Sequence, residues 1–133
     1  MGANVVLNTV DSSGWLEYLA DGRNAAFFAP AIEETKLLVV PSISIYEVFK
    51  RVMVQRGENS ALQVAALMQQ GEVVDLNATV ALNAAQLAVR LNLPMADAVI
   101  LATARMKNAI LWTQDADFKD LDGVRYIPKR AHS

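Results

Sequence analysis

The sequence predicts an open α/β sandwich, with helices on both faces of a central, mainly parallel sheet of four or five strands. Short apolar runs of strand length alternate along the chain with longer stretches whose apolar residues recur at helical spacing. Strands separated by helices are joined most simply by crossovers over a sheet face, which makes neighbouring strands parallel. The 133 residues are 53% hydrophobic and 20% charged. A chain of that size is expected to form a single domain over 1–133, with a radius of gyration of roughly 14 Å and about two-thirds of its unfolded surface hidden.

The elements follow in order. Residues 4–10 carry β-branched side chains and read as the first strand. Asp11, Ser12 and Ser13 offer an N-cap to a helix through Leu19 that ends near Gly22. A second helical stretch over 25–35 is expected to bury Phe28 and Ile32 with Leu19. Residues 37–40 are a fully apolar strand stopped by Pro41. Ser42 is a candidate cap for a helix to Arg56, with Ile45, Val48, Phe49 and Val52 on its inner face and Gly57 closing it. Asn59 and Ser60 open a further helix that ends at Gly71. Val73 and Val74 form the core of a third strand, and Asn77 caps a helix to Leu91. Pro94 breaks the chain before a helix over 95–107. Residues 110–112 and 124–127 complete the strand set.

Composition removes whole classes of chemistry. There is no cysteine and one histidine, His132, so disulfides, zinc ribbons, iron–sulfur clusters and thiolate catalysis are excluded, and a serine–histidine triad nearly so. His132 and Ser133 are expected to be a mobile end. No uncharged apolar run reaches the roughly 18–20 residues of a membrane helix. Residues 1–4 lack a basic region ahead of an apolar one, so no signal peptide is expected. A cytoplasmic protein without a membrane partner is the expectation.

In an open parallel sheet, ligands bind beyond the carboxyl ends of the strands. Asp11 follows the first strand, and Glu47 lies about a turn and a half into the helix after the second. Asp97 opens the helix after Pro94, and Asp115 follows the fourth strand with Asp117 two residues on. Two unit charges ~5 Å apart at an effective dielectric of ~20 repel by about 3 kcal/mol, so a cluster of such acids needs protons or a cation. Oxygen-only ligation suits Mg²⁺ or Mn²⁺, ions that activate water and stabilise phosphoryl charge. Each acid also has a plain structural reading. Asp11 is a good cap, Glu47 has Lys50 and Arg51 one turn on, Asp97 suits a helix N-terminus, and Asp115 and Asp117 suit a turn. Spacing leaves both readings open. The apolar residues beside Asp97 and Glu47 favour acids that need a partner.

At these residues the sequence resembles the PIN-domain family, in particular its VapC-like toxins. Four ordered motifs carry the likeness: Val10-Asp11-Ser12-Ser13-Gly14-Trp15-Leu16, Ser42-Ile43-Ser44-Ile45-Tyr46-Glu47-Val48, residues 93–104 around Asp97, and Thr113-Gln114-Asp115-Ala116-Asp117-Phe118. The resemblance implies a PIN-like three-layer α/β/α sandwich and hydrolysis of RNA by water activated on Mg²⁺ or Mn²⁺. It implies an acidic quartet of Asp11, Glu47, Asp97 and Asp115, with Asp11, Asp97, Asp115 and Asp117 as metal ligands. Glu47 would ligate or orient the attacking water, while Ser12 and Thr113 would hold carboxylates in place. A homodimer and a VapB-like antitoxin are implied as partners. The helices over 42–70, with Ile45, Phe49, Val52, Met53 and Leu67, are the expected antitoxin surface.

The net charge of −2 does not itself suggest a nucleic-acid partner. Fourteen acids less the five candidate site acids leave nine against twelve Lys and Arg, or +3 for the remainder. Lys50, Arg51 and Arg56 share one helix, and Arg105 and Lys107 end another; either group offers phosphate contacts. Trp15 and Trp112 are expected in the core. Two rival readings are a phosphoryl-accepting receiver domain, using Asp11, Asp75, Thr113 and Lys129, and a PIN-like module that binds partners without catalysis.

Overall fold

Five short strands, all parallel to their neighbours, lie between two layers of helix in the computed structural model, which describes residues 5–131. Asn4, the expected start of the first strand, and the expected mobile end at His132 and Ser133 lie outside the described residues. The chain runs β1 (Leu7–Val10), α1 (Ser12–Leu19), α2 (Ala25–Glu33), β2 (Val39–Pro41), α3 (Ser42–Arg56), α4 (Glu58–Met68), β3 (Glu72–Val74), α5 (Ala78–Leu91), α6 (Met95–Met106), β4 (Ala109–Thr113) and β5 (Val124–Tyr126). Single 3₁₀ turns occupy Thr35–Leu37 and Ala116–Phe118.

β1, β4 and β5 form one ladder with β4 in the centre, and β2 pairs with β3 in another. A parallel bridge between Asn8 and Leu38 joins the two. The strand order is therefore β3-β2-β1-β4-β5. Side chains alternate between faces along each strand. Val39 and Leu111 pack with α5 and α6, alongside Ile100, Leu101 and Phe118. Leu38, Val40, Val10 and Trp112 pack on the other face with Trp15, Phe28, Val48 and Met68 from α1 to α4. Trp15 and Trp112 are both in this core, as the sequence predicts. Residues 98–104 are all buried, so α6 is covered on every side from Ala98 to Ala104.

Local chemistry accounts for most boundaries and corrects several. Asp11 caps α1 by accepting the Gly14 N–H, and Asn77 caps α5 by accepting that of Val80. Asn92 closes α5 in the left-handed region at φ 55°, a conformation asparagine tolerates better than most residues. Gly57, at φ 90°, separates α3 from α4. Ser42 is not a cap: it is the first residue of α3 after Pro41, and its Oγ accepts the Leu76 N–H at 3.3 Å. α4 begins at Glu58, one residue before the expected opener, with no side-chain cap. α2 stops at Glu33, and the chain tightens into a 3₁₀ turn at Thr35 instead of continuing as helix. One polar residue inside β1 has a use as well. Asn8 Oδ1 accepts the Trp112 indole N–H at 2.8 Å, tying neighbouring strands through their side chains. Among the described residues no single helix is long and apolar enough to cross a membrane.

Candidate functional site

Because all the strands point the same way, their carboxyl ends share one edge, and a cleft of about 1220 Å³ opens there. Asp11, Glu47, Asp97 and Asp115 line it together with Ser12, Gln114 and Tyr46. The elements that deliver them are separate: the β1–α1 junction, α3, the first turn of α6, and the turn after β4.

Asp11 is only 2% exposed. Its carboxylate accepts from the Gly14 N–H at 2.9 Å, from Ser13 Oγ at 2.9 and 3.0 Å, and from Thr113 Oγ1 at 2.7 Å. Burial outweighs these donors and lifts its pKa to about 6, with the Asp115 charge adding a little. The Thr113 hydroxyl also accepts the Asp115 N–H at 2.9 Å, and Asp115 Oδ1 accepts the Asp117 N–H at 2.9 Å. One hydroxyl thus orients two acids, and the following turn orients a third. On α3, Glu47 accepts a short hydrogen bond from Ser12 Oγ.

Asp97 stands half-buried in this group. Desolvation lifts its pKa to about 7, and the charges of Asp115, Asp11, Asp117 and Glu47 push the same way. Carboxylate oxygens of Asp97, Asp115 and Asp117 lie within 4.8 Å of one another. Three hard oxygen donors at that separation could hold a divalent cation and suit no soft metal. Asp117 is the most exposed of the three. Asp11 is not in that trio; its oxygens are taken up by Ser13, Gly14 and Thr113, although its charge is felt at Asp97.

The structure separates the basic residues that the sequence offered for RNA. Lys50 and Arg51 line the cleft, as do Lys129 and Arg130. Arg56 lines a second hollow of about 160 Å³ between α1, α3 and α4. Arg105 and Lys107 lie at the opposite edge of the sheet, ahead of β4. There Arg105 donates to the Asp122 carbonyl at 3.4 Å, and Lys107 pairs with Glu72 at 2.7 Å. Of the residues expected to meet an antitoxin, Val52 is buried, Ile45, Phe49 and Leu67 pack partly against the core, and Met53 is exposed.

Sequence reasoning missed Asn24 and Gln114, both buried. Asn24 Nδ2 donates to Gln114 Oε1 at 2.9 Å and to the Pro128 carbonyl at 3.0 Å. The Glu17 carboxylate accepts the Asn24 N–H at 2.8 Å. No periodicity or motif marks this pair; the one signal in the sequence was Gln114's place between Thr113 and Asp115. Asp75, the acceptor required by a receiver domain, is exposed after β3 at the far flank of the sheet, and Thr113 is bonded to Asp11 and Asp115.

The PIN domain family model matches residues 9–124. No curated protein matches. Among solved structures, a toxin–antitoxin complex from Klebsiella pneumoniae has a TM-score of 0.72 at 24% identity, covering 89% of this chain and 95% of the other. A DNA-bound VapBC from Salmonella typhimurium gives 0.70 at 15% identity, with 92% and 98% covered. VapC20 of Mycobacterium tuberculosis, a Sarcin-Ricin loop cleaving toxin, gives 0.68 at 19% identity, with 86% and 94% covered. At these identities the likeness is one of fold.

Proposed function

The chain belongs to the PIN-domain family, and on that premise we propose that it is a Mg²⁺- or Mn²⁺-dependent endoribonuclease, the toxin of a VapBC-type pair. The observation that carries this reading is the meeting of Asp97, Asp115 and Asp117 within 4.8 Å in a cleft that Asp11 and Glu47 also line. Asp97, Asp115 and Asp117 would hold the ion, with Asp11 beside them. Bound there, the ion supplies an acidified water and a counter-charge for the phosphoryl oxygens.

The chain's own residues set the stage. Thr113 holds Asp11 and the Asp115 backbone in one arrangement, so the carboxylates need little reorganisation when a cation arrives. Ser12 donates to one oxygen of Glu47 and leaves the other to accept a hydrogen bond from the attacking water. Desolvation, reinforced by the charges of the neighbouring acids, holds Asp97 partly protonated near neutrality when no cation is present, and a bound cation would displace that proton.

Homodimer formation and an antitoxin belong to the same proposal. Leu82 and Val89 leave apolar surface on α5, and the hollow between α1, α3 and α4 is lined by Leu16, Leu19, Val52 and Val64. Incubation with RNA and Mn²⁺, with and without chelator, tests the activity. The expected result is cleavage that needs the metal and is lost in Asp97→Asn. Cleavage that persists in that variant overturns the assignment, and complete absence of cleavage in the parent favours a module that only binds partners.

A further inference from the structure

The acids account for one part of the cleft and leave four of its cations unexplained. These come from opposite flanks of the sheet. Lys50 and Arg51 stand on α3, which follows β2, whereas Lys129 and Arg130 stand on the segment that follows β5. β1 and β4 lie between those flanks in the strand order and deliver Asp11 and Asp115. Along the carboxyl edge of the sheet the order is basic, acidic, basic.

Residues 127–131 have no regular structure, yet the segment is tied down at three points. The Ile127 N–H donates to the Thr113 carbonyl at 3.0 Å, Asn24 Nδ2 donates to the Pro128 carbonyl at 3.0 Å, and Arg130 Nη1 donates to the Arg23 carbonyl at 3.3 Å. Asn24 is only 1% exposed and bonds Gln114, the residue between Thr113 and Asp115, through the same amide nitrogen. One buried side chain therefore fixes both the acid-bearing turn and the basic segment. A tail that served only for solubility needs no such anchor.

We infer that residues 127–131 form the second wall of the substrate cleft, positioned by Asn24, and that Lys129 and Arg130 hold the RNA backbone on the other side of the scissile phosphate from Lys50 and Arg51. The inference rests on the ribonuclease reading and specifies its substrate: a strand that continues on both sides of the cleaved bond. The flanking cations offset the repulsion that the acids impose on an approaching polyanion. Tyr46, 62% exposed beside Glu47 and with the Lys50 ammonium 5.7 Å from its ring centroid, presents a face on which an unpaired base can stack.

Steady-state cleavage of a single-stranded oligoribonucleotide in Mn²⁺, followed across a salt series, tests this. The full-length parent is compared with Lys129→Ala/Arg130→Ala, Lys50→Ala/Arg51→Ala and Lys36→Ala, the last removing a charge at the opposite edge of the sheet. All replaced residues are exposed, and equal thermal midpoints confirm that folding is intact. Each double variant is expected to raise KM roughly tenfold with kcat retained. Each should also flatten the dependence of log kcat/KM on log salt by about 0.7 for every phosphate that the variant leaves without a cation. Lys36→Ala is expected to match the parent. If the parent cleaves and Lys129→Ala/Arg130→Ala behaves like Lys36→Ala, this inference fails while the ribonuclease reading stands. A parent that does not cleave overturns both.

Discussion

The Thr113 hydroxyl acts twice, donating to Asp11 and accepting the Asp115 N–H. Replacing it with the near-isosteric valine removes both bonds from a fully buried position. Thr113→Val is expected to cost about 1–3 kcal/mol of stability, the usual penalty for stranding buried polar partners, and to push the Asp11 pKa above about 6, since Thr113 is the largest influence lowering it. Chemical denaturation checks the first effect and the pH–rate profile of cleavage the second. The positions of the acids were legible in the sequence because Asp11 and Asp115 follow strands, Asp97 opens a helix, and Glu47 lies about a turn and a half into the helix after β2. Their grouping was less so. Residues beside Asp97 in sequence point elsewhere around the helix: Ala98 is buried and Met95 is 72% exposed, so apolar neighbours alone do not define its surroundings. Which oxygens meet depends on the short turn Ala116–Phe118, which brings Asp117 to Asp97 and Asp115, while Asp11 stays committed to its hydrogen bonds.

At the scale of elements, α1 approaches β1 and α2 so closely that only a glycine fits at Gly14. A Cβ there would stand 2.6 Å from Phe28 Cε1 and 2.6 Å from Val10 Cγ1. Phe28 and Val10 are both completely buried and cannot swing into solvent. Overpacking of this kind costs about 1–3 kcal/mol. Gly14→Ala is therefore expected to lower the thermal midpoint and also reduce cleavage per folded molecule, because the Gly14 N–H is one of the donors to Asp11. Circular dichroism melting and active-site titration separate the two losses; unchanged stability would contradict the packing. Strand and helix identities were readable from alternating apolar runs and helical spacing. Starts of helices were less readable, since Ser42 and Asn59 have the chemistry of caps while α3 and α4 begin after Pro41 and Gly57 without side-chain caps. The order of the strands depends on which crossover covers which face, and no local pattern records that.

For the whole molecule, the acid cluster links folding to protons and, on the proposed function, to cations. Asp11 and Asp97 have folded-state pKa values of about 6 and about 7, both above the ordinary 3.8. Between pH 4 and 7 the folded chain therefore binds more protons than the unfolded chain, so these two groups make stability fall as pH rises through 6 and 7. In chelator, the thermal midpoint is expected to be lower at pH 8 than at pH 5, by about 5 °C or more. Mn²⁺ is expected to restore it at pH 8 and do little at pH 5, because the ion must displace protons to bind. Scanning calorimetry at the two pH values reads both effects; a midpoint that rises with pH in chelator would show that burial does not hold protons on Asp11 and Asp97.

The common direction of the strands has one more result. On the proposed function, the groups that would touch substrate gather at the end where they finish, which leaves the rim where they begin to serve as a handle. Lys36 sits on that rim, ahead of β2 and open to solvent, and the chain has no native thiol. A cysteine introduced there can be coupled to a bead or dye at one known point, presenting every molecule to its target the same way round.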